Sequence, residues 1–227
     1  ADTSQGRVFT VTGQDWDELV EGIGSGETDE RVVVNMGPQH PSTHGVFRIR
    51  ATVDGEKVTD AEMVMGYLHR SMEKLAEERT YTQNIPFTDR TDYLSSMSNN
   101  LGYCLAVEKL AGIEVPARGN AIRVIMAELS RIQNHLIWAG MMLNDLGAMY
   151  TPALYAFEER ELILDIFEMT SGSRMMCNYF RFGGVARDMS DDALRKTREL
   201  VLDRLPGKVD EMDRLLTDNE VLVSRLK

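Results

Sequence analysis

Between Phe47 and Val53 the chain alternates strictly: Phe47, Ile49, Ala51 and Val53 are apolar, and Arg48, Arg50 and Thr52 between them are polar. A period of two puts one set on each side of a pleated backbone and predicts a strand. Asp54-Gly55 follows at once and predicts a two-residue hairpin turn with positive φ at its centre. Val58, Met63 and Met65 supply the returning strand. After Gly66 the period becomes helical almost to the end of the chain. The longest helix is predicted from about Ala121 to Asp145, where Ile122, Ile125, Leu129, Ile132, Leu136, Ala139 and Leu143 recur at helical spacing. At 1.5 Å per residue such a rod is about 37 Å long, enough to organise a bundle. Tyr155, Leu162, Ile166 and Met169 predict a second helix starting near Thr151-Pro152. Ser190, followed by Asp191 and Asp192, predicts the capped start of a third, with Pro206-Gly207 ending it.

This order of elements predicts an α+β fold that is mainly α, an antiparallel β-hairpin layer leading into a helical bundle. Residues 1–30 read as an extension or a linker from a preceding module, polar and interrupted by Gly22, Gly24 and Gly26, with one weak amphipathic stretch at Trp16, Leu19, Val20 and Ile23. Residues 31–66 form the small β layer, and residues 67–227 form the bundle.

Charge narrows the function classes. With 25 Lys and Arg against 36 Asp and Glu the net charge is −11. An acidic chain offers no electrostatic footprint for nucleic acid and is repelled by an anionic membrane surface. No apolar run approaches the roughly 20 residues of a membrane span, so any contact with a membrane is expected through partners. Cys104 and Cys177 cannot by themselves make a disulfide framework or a thiolate metal site.

Candidate chemistry concentrates in a few segments. His40 and His44 share the loop Gly37-Pro38-Gln39-His40-Pro41-Ser42-Thr43-His44-Gly45, whose prolines and glycines specify a fixed, non-helical backbone between two strands. Such a loop serves either as a tight connection or as the support of a proton donor near neutral pKa. Zinc would need two further ligands, and His69 and His135 without a thiolate make a poor set. The stretch Gly66-Tyr67-Leu68-His69-Arg70-Ser71-Met72-Glu73-Lys74 carries interleaved charges that an exposed helix would also show. Asp89-Arg90-Thr91-Asp92-Tyr93 then sets a tyrosine in a charged turn.

Taken in order, GPQHPSTHG, GYLHRSMEKLAEERTYTQN, DRTDYL, ELSRIQNHL followed by NDLGA, FEEREL and YFRFGGV resemble one family. It is the quinone-site, D-type subunit of proton-pumping NADH:quinone oxidoreductase, respiratory complex I, a relative of the large subunit of [NiFe]-hydrogenases. The resemblance runs from about Val32 to Met189 and takes in all four histidines. It implies a hydrogenase-large-subunit-like fold, cut short here at its C-terminal side because members are normally much longer. It further implies that His44 and Tyr93 bind the quinone head group and that Asp145 pairs with that histidine, making these three the catalytic residues. Arg70, with His40, Arg90 and Met176, is implied to lie near a [4Fe-4S] cluster held by a neighbouring subunit. The substrate is then a quinone (ubiquinone or menaquinone), and this chain holds no metal. The implied partners are the B-type iron–sulfur subunit, the C-type subunit and a membrane-arm subunit at the quinone channel, in a hetero-oligomer peripheral to the cytoplasmic face of the plasma membrane.

Two departures sharpen the resemblance. Where the hydrogenase relatives carry the nickel-ligating RxCGxC, this chain has Arg90-Thr91-Asp92-Tyr93-Leu94-Ser95 with no cysteine, which excludes hydrogenase chemistry. Many members carry a histidine where Met176 stands, and a thioether has no proton to titrate. The competing expectations are a related complex fed by ferredoxin or a reduced deazaflavin, and a degenerate hydrogenase-like scaffold that assembles partners without reacting. His135 is expected to make a structural hydrogen bond within the bundle.

Overall fold

The computed structural model describes residues 31–148 and 150–227, so the predicted N-terminal extension, residues 1–30, lies outside the described residues. The chain divides into two compact units between Met72 and Glu73. The fold is α+β and mainly α, as the periodicities predict.

The first unit holds a three-stranded antiparallel sheet in the order β1 (Arg31–Met36), β2 (Arg48–Asp54), β3 (Lys57–Val64). The turn joining β2 to β3 is Gly55-Glu56, since Asp54 already pairs with Lys57. It is therefore one residue later than predicted, and only Gly55, at φ 57°, takes the left-handed conformation. Val58, Ala61 and Met63 pair with Val53, Ala51 and Ile49 across an irregularity at Thr52/Val53. That bulge corrects the parity: Val58 and Met63, out of phase in the sequence, come to one face because paired residues on adjacent strands point the same way.

The second unit is built on α4, a 27-residue helix from Ala117 to Leu143, packed along α5 (Thr151–Ser171). Before them come α1 (Met72–Glu78), α2 (Tyr81–Thr88) and α3 (Ser96–Ala111). After them come a two-stranded hairpin, β4 (Phe180–Arg181) and β5 (Gly184–Val185), and then α6 (Asp191–Arg198), α7 (Leu205–Thr217) and α8 (Glu220–Leu226). Thr80 caps α2 through a capping box with Gln83, and the Ser190 hydroxyl accepts from the Ala193 amide at the start of α6 as the sequence predicts.

Two predictions fail here. Pro206-Gly207 does not end the third helix. A wide, π-helical stretch from Glu199 to Arg204 follows α6 without a break, and Pro206 sits where it passes into α7, so the helix runs on through a residue that has no N–H to donate. The predicted α4 stripe is also only half buried. Ile122, Leu129 and Leu136 are in the core, together with Met126, Gln133 and Gly140, whereas Ile125 and Ile132 border a groove of about 660 Å³ facing α6. Along α5 the buried line runs through Ala156, Glu159, Ile163 and Phe167, and Met169 is exposed. Gly140 marks the close crossing of the two helices, since a Cβ there would stand 3.1 Å from the Ala156 Cβ.

Candidate functional site

The loop between β1 and β2 carries His40 and His44, and both imidazoles are exposed. Its backbone is not wholly non-helical as predicted, because Pro41–Thr43 makes one 3₁₀ turn. Buried Thr43 holds it: the hydroxyl donates to the carbonyls of Pro38 and His40, each at 3.0 Å. Gly37 stands at φ 89°, and a Cβ there would lie 2.1 Å from the Phe47 carbonyl oxygen. His44 itself is left-handed at φ 53°. The histidine is thus presented outward by a turn whose supports face inward. Arg70 is exposed in the short turn that follows β3, beside His69, whose amide donates to the Gly66 carbonyl at 3.0 Å, and Ser71 at φ 52°.

In the second unit Tyr93 lies in the turn between α2 and α3 with half its surface exposed. The turn is gripped at several points. Asp92 Oδ1 accepts from the Leu94 amide at 3.1 Å, and its carbonyl accepts from Asn99 Nδ2 at 3.3 Å. Gln133, buried on α4, donates from Nε2 to the Leu94 carbonyl at 3.2 Å. Arg90 is exposed and turns back to the Pro86 carbonyl, 2.6 Å away.

Asp89 opens the same turn and is 1% exposed. Its Oδ1 accepts from Asn100 Nδ2 at 2.8 Å and its Oδ2 from the Asn178 amide at 2.7 Å. Burial pushes its carboxyl above the usual carboxylate range, against the lowering effect of those hydrogen bonds. Met176, half-buried, belongs to the turn that Asp89 holds; Met176 and Asn178 are both left-handed, at φ 51° and 43°. Neither Asp89 nor Gln133 stands out in the sequence as a site residue. The only signal for Asp89 is its position as first residue of the charged turn.

Asp145 is exposed just past the end of α4, in a π-helical turn from Asn144 to Ala148. A fixed negative charge is disfavoured at the carbonyl end of a helix, and solvent exposure makes that cost small. Arg225 of α8 clamps the turn by donating to the Leu146 carbonyl at 2.9 Å. Gly147 permits this: its φ is 103°, and a Cβ would meet the Arg225 guanidinium at 2.6 Å. His135 is exposed and borders a separate apolar groove with Val209 and Met212, so it does not make the buried structural bond expected of it.

A buried ion pair supports the β4–β5 hairpin behind Met176. Arg123 and Glu108, 2% and 5% exposed, pair bidentately, and Arg123 also donates to the carbonyls of Arg181 (2.6 Å) and Gly184 (3.0 Å). The Gly183 amide donates to Glu108 at 2.8 Å. The bidentate guanidinium, with that amide, holds the Glu108 carboxyl below its usual range. Burial pushes the thiols of Cys104 and Cys177 up to about 11, so both are neutral at physiological pH. Among the described residues no three His, Cys, Asp or Glu side chains are grouped to hold a metal ion, and no helix is long and apolar enough to cross a membrane.

Comparison with known proteins agrees with the motif order. Residues 145–227 match the family described as respiratory-chain NADH dehydrogenase, 49 Kd subunit. The chain is 57% identical over 198 residues to the D-type subunit of NADH-quinone oxidoreductase from Dehalococcoides mccartyi, covering 87% of this chain and 54% of that one. The first of the D-type subunits of Roseiflexus sp. is 57% identical over 196 residues, covering 86% and 52%. The corresponding protein of Acidothermus cellulolyticus is 52% identical over 225 residues, covering 97% and 50%. The chain spans about half the length of the curated relatives it matches.

Proposed function

We propose that this chain, which belongs to the D-type subunit family of NADH-quinone oxidoreductase, supplies the quinone-binding groups of such a complex. In this reading His44 and Tyr93 donate to the two quinone oxygens, and Asp145 is the carboxylate partner of the His44 imidazole. Reduction of a quinone to quinol takes two electrons and two protons, so each carbonyl oxygen gains negative charge and needs a donor aimed at it. A carboxylate behind an imidazole fixes its tautomer and stabilises its protonated form. The electrons come from an iron–sulfur cluster of a neighbouring subunit, with Arg70, His40, Arg90 and Met176 on the side toward it. A positive charge such as that of Arg70 favours the reduced cluster. The B-type and C-type subunits and a membrane-arm subunit complete the assembly at the cytoplasmic face of the membrane, where quinone reduction is coupled to proton translocation.

The observation that carries this reading is how the three side chains are offered. His44, Tyr93 and Asp145 are all exposed, and each stands on a short turn pinned by a hydrogen bond from Thr43, Gln133 or Arg225. A pinned backbone under an exposed proton donor limits the reorganisation needed when a substrate arrives. A scaffold that only assembles partners needs no such arrangement. Tyr93→Phe in the complete complex is expected to lower quinone reduction about 10- to 100-fold with assembly intact, since it removes one donor and little else. Unchanged turnover per assembled complex would favour the scaffold instead.

A further inference from the structure

We propose that Asp89 and Gln133 are positioning residues, a two-point clamp that holds the turn bearing Tyr93 at the geometry its work on the quinone requires. The proposal rests on the function given above. Asp89 lies four residues before Tyr93, and Leu94, whose carbonyl Gln133 holds, lies immediately after it. Both clamps are buried, at 1% and 4% exposure, while the tyrosine between them is 50% exposed. The intervening backbone is closed by its own turns, Arg90 N–H to the Phe87 carbonyl at 3.1 Å and Ser95 N–H to the Asp92 carbonyl at 3.1 Å. Displacement of the backbone that carries Tyr93 therefore works against the bonds made by the two clamps.

The clamp reaches further than the turn. Asp89 uses both carboxylate oxygens, one on α3 through Asn100 and one on the amide of left-handed Asn178. A single side chain thus ties the Tyr93 turn to the turn bearing Met176, 89 residues away along the chain at its point of contact. Packing alone would not call for this residue: an apolar side chain could fill the space without the cost of desolvating a carboxyl.

A double-mutant cycle on quinone reduction by the complete complex tests the proposal, with rates normalised to NADH-driven reduction of ferricyanide by the same preparation. Asp89→Asn, which turns one acceptor oxygen into a donor, is expected to lower kcat/KM for a soluble quinone about tenfold. In a Tyr93→Phe background it is expected to lower it by less than about twofold, because a residue that acts through the phenol has nothing left to position. A tenfold loss in both backgrounds, or none in the parent, would overturn the proposal. If Asp89→Asn does not assemble, Gln133→Met carries the same cycle with the same two criteria. Should Tyr93→Phe alone leave turnover unchanged, it is the quinone-binding reading that fails, an outcome distinct from a failed clamp.

Discussion

Gly37 shows how narrowly a single position can be specified. Its φ of 89° is open to glycine and strained for other residues, and the Phe47 carbonyl occupies the place a Cβ would take. The loop it opens is the one that carries His40 and His44. Gly37→Ala is expected to cost about 1–3 kcal/mol in stability and to weaken quinone reduction, because the Thr43 bonds that shape the loop are displaced with it. Thermal unfolding of the variant checks the first part; a melting temperature equal to the parent's would show that the loop relaxes freely. Thr43 and Gly37 differ in how visible they are. The glycine is marked by its place in a Pro- and Gly-rich motif, whereas the role of Thr43 depends on two carbonyls brought over its hydroxyl by the 3₁₀ turn.

Among the elements, the α3–α4 pair is joined by a charge pair that helical periodicity does not announce. Glu108 and Arg123 are charged, and charged side chains usually face solvent, yet both are buried and hold the β4–β5 hairpin through Arg181, Gly183 and Gly184. Removing one partner of such a pair strands the other in a low-dielectric site, so Glu108→Gln is expected to cost about 3–5 kcal/mol at neutral pH. The sign with pH follows from the direction of the shift. Glu108 has a folded-state carboxyl below its unfolded value, so its contribution is complete above the unfolded value and is lost as pH falls through the folded one. Asp89 acts the other way: its carboxyl is raised by burial, so its protonation at falling pH favours the folded state. The gap in melting temperature between parent and Glu108→Gln is therefore expected to narrow below about pH 4. A gap that stays constant down to acid unfolding would mean that Glu108 contributes no ionised interaction.

For the whole molecule, the apolar stripe of α4 is wider than the described chain covers. Ile125 and Ile132 border the groove toward α6, and Val124 and Leu202 beside it are 61% and 58% exposed. Exposed apolar surface of this extent is characteristic of a surface that meets another, and the chain spans about half the length of the relatives it matches. Residues 1–227 alone are accordingly expected to show no quinone reductase turnover with reduced viologen as donor. Turnover above the buffer rate would mean that the groups on this chain suffice.

Legibility differed by the range of the interaction involved. Local sequence determined the strand, the hairpin, the two long helices and the Ser190 cap, because these depend on neighbours within a few positions. Motif order pointed to the family that the comparisons also find, and the Pro- and Gly-rich loop and the charged turn placed His44 and Tyr93 on turns. Tertiary structure decided the rest. It selected which half of the α4 stripe is buried, restored the parity of Val58 and Met63 through a bulge, and carried the helix through Pro206 by way of a π-helical stretch. It also paired Asp89 with an amide 89 residues away and Glu108 with Arg123. A local pattern states that a face is apolar or that a residue is charged, whereas burial and hydrogen bonding depend on which distant segment arrives to cover it.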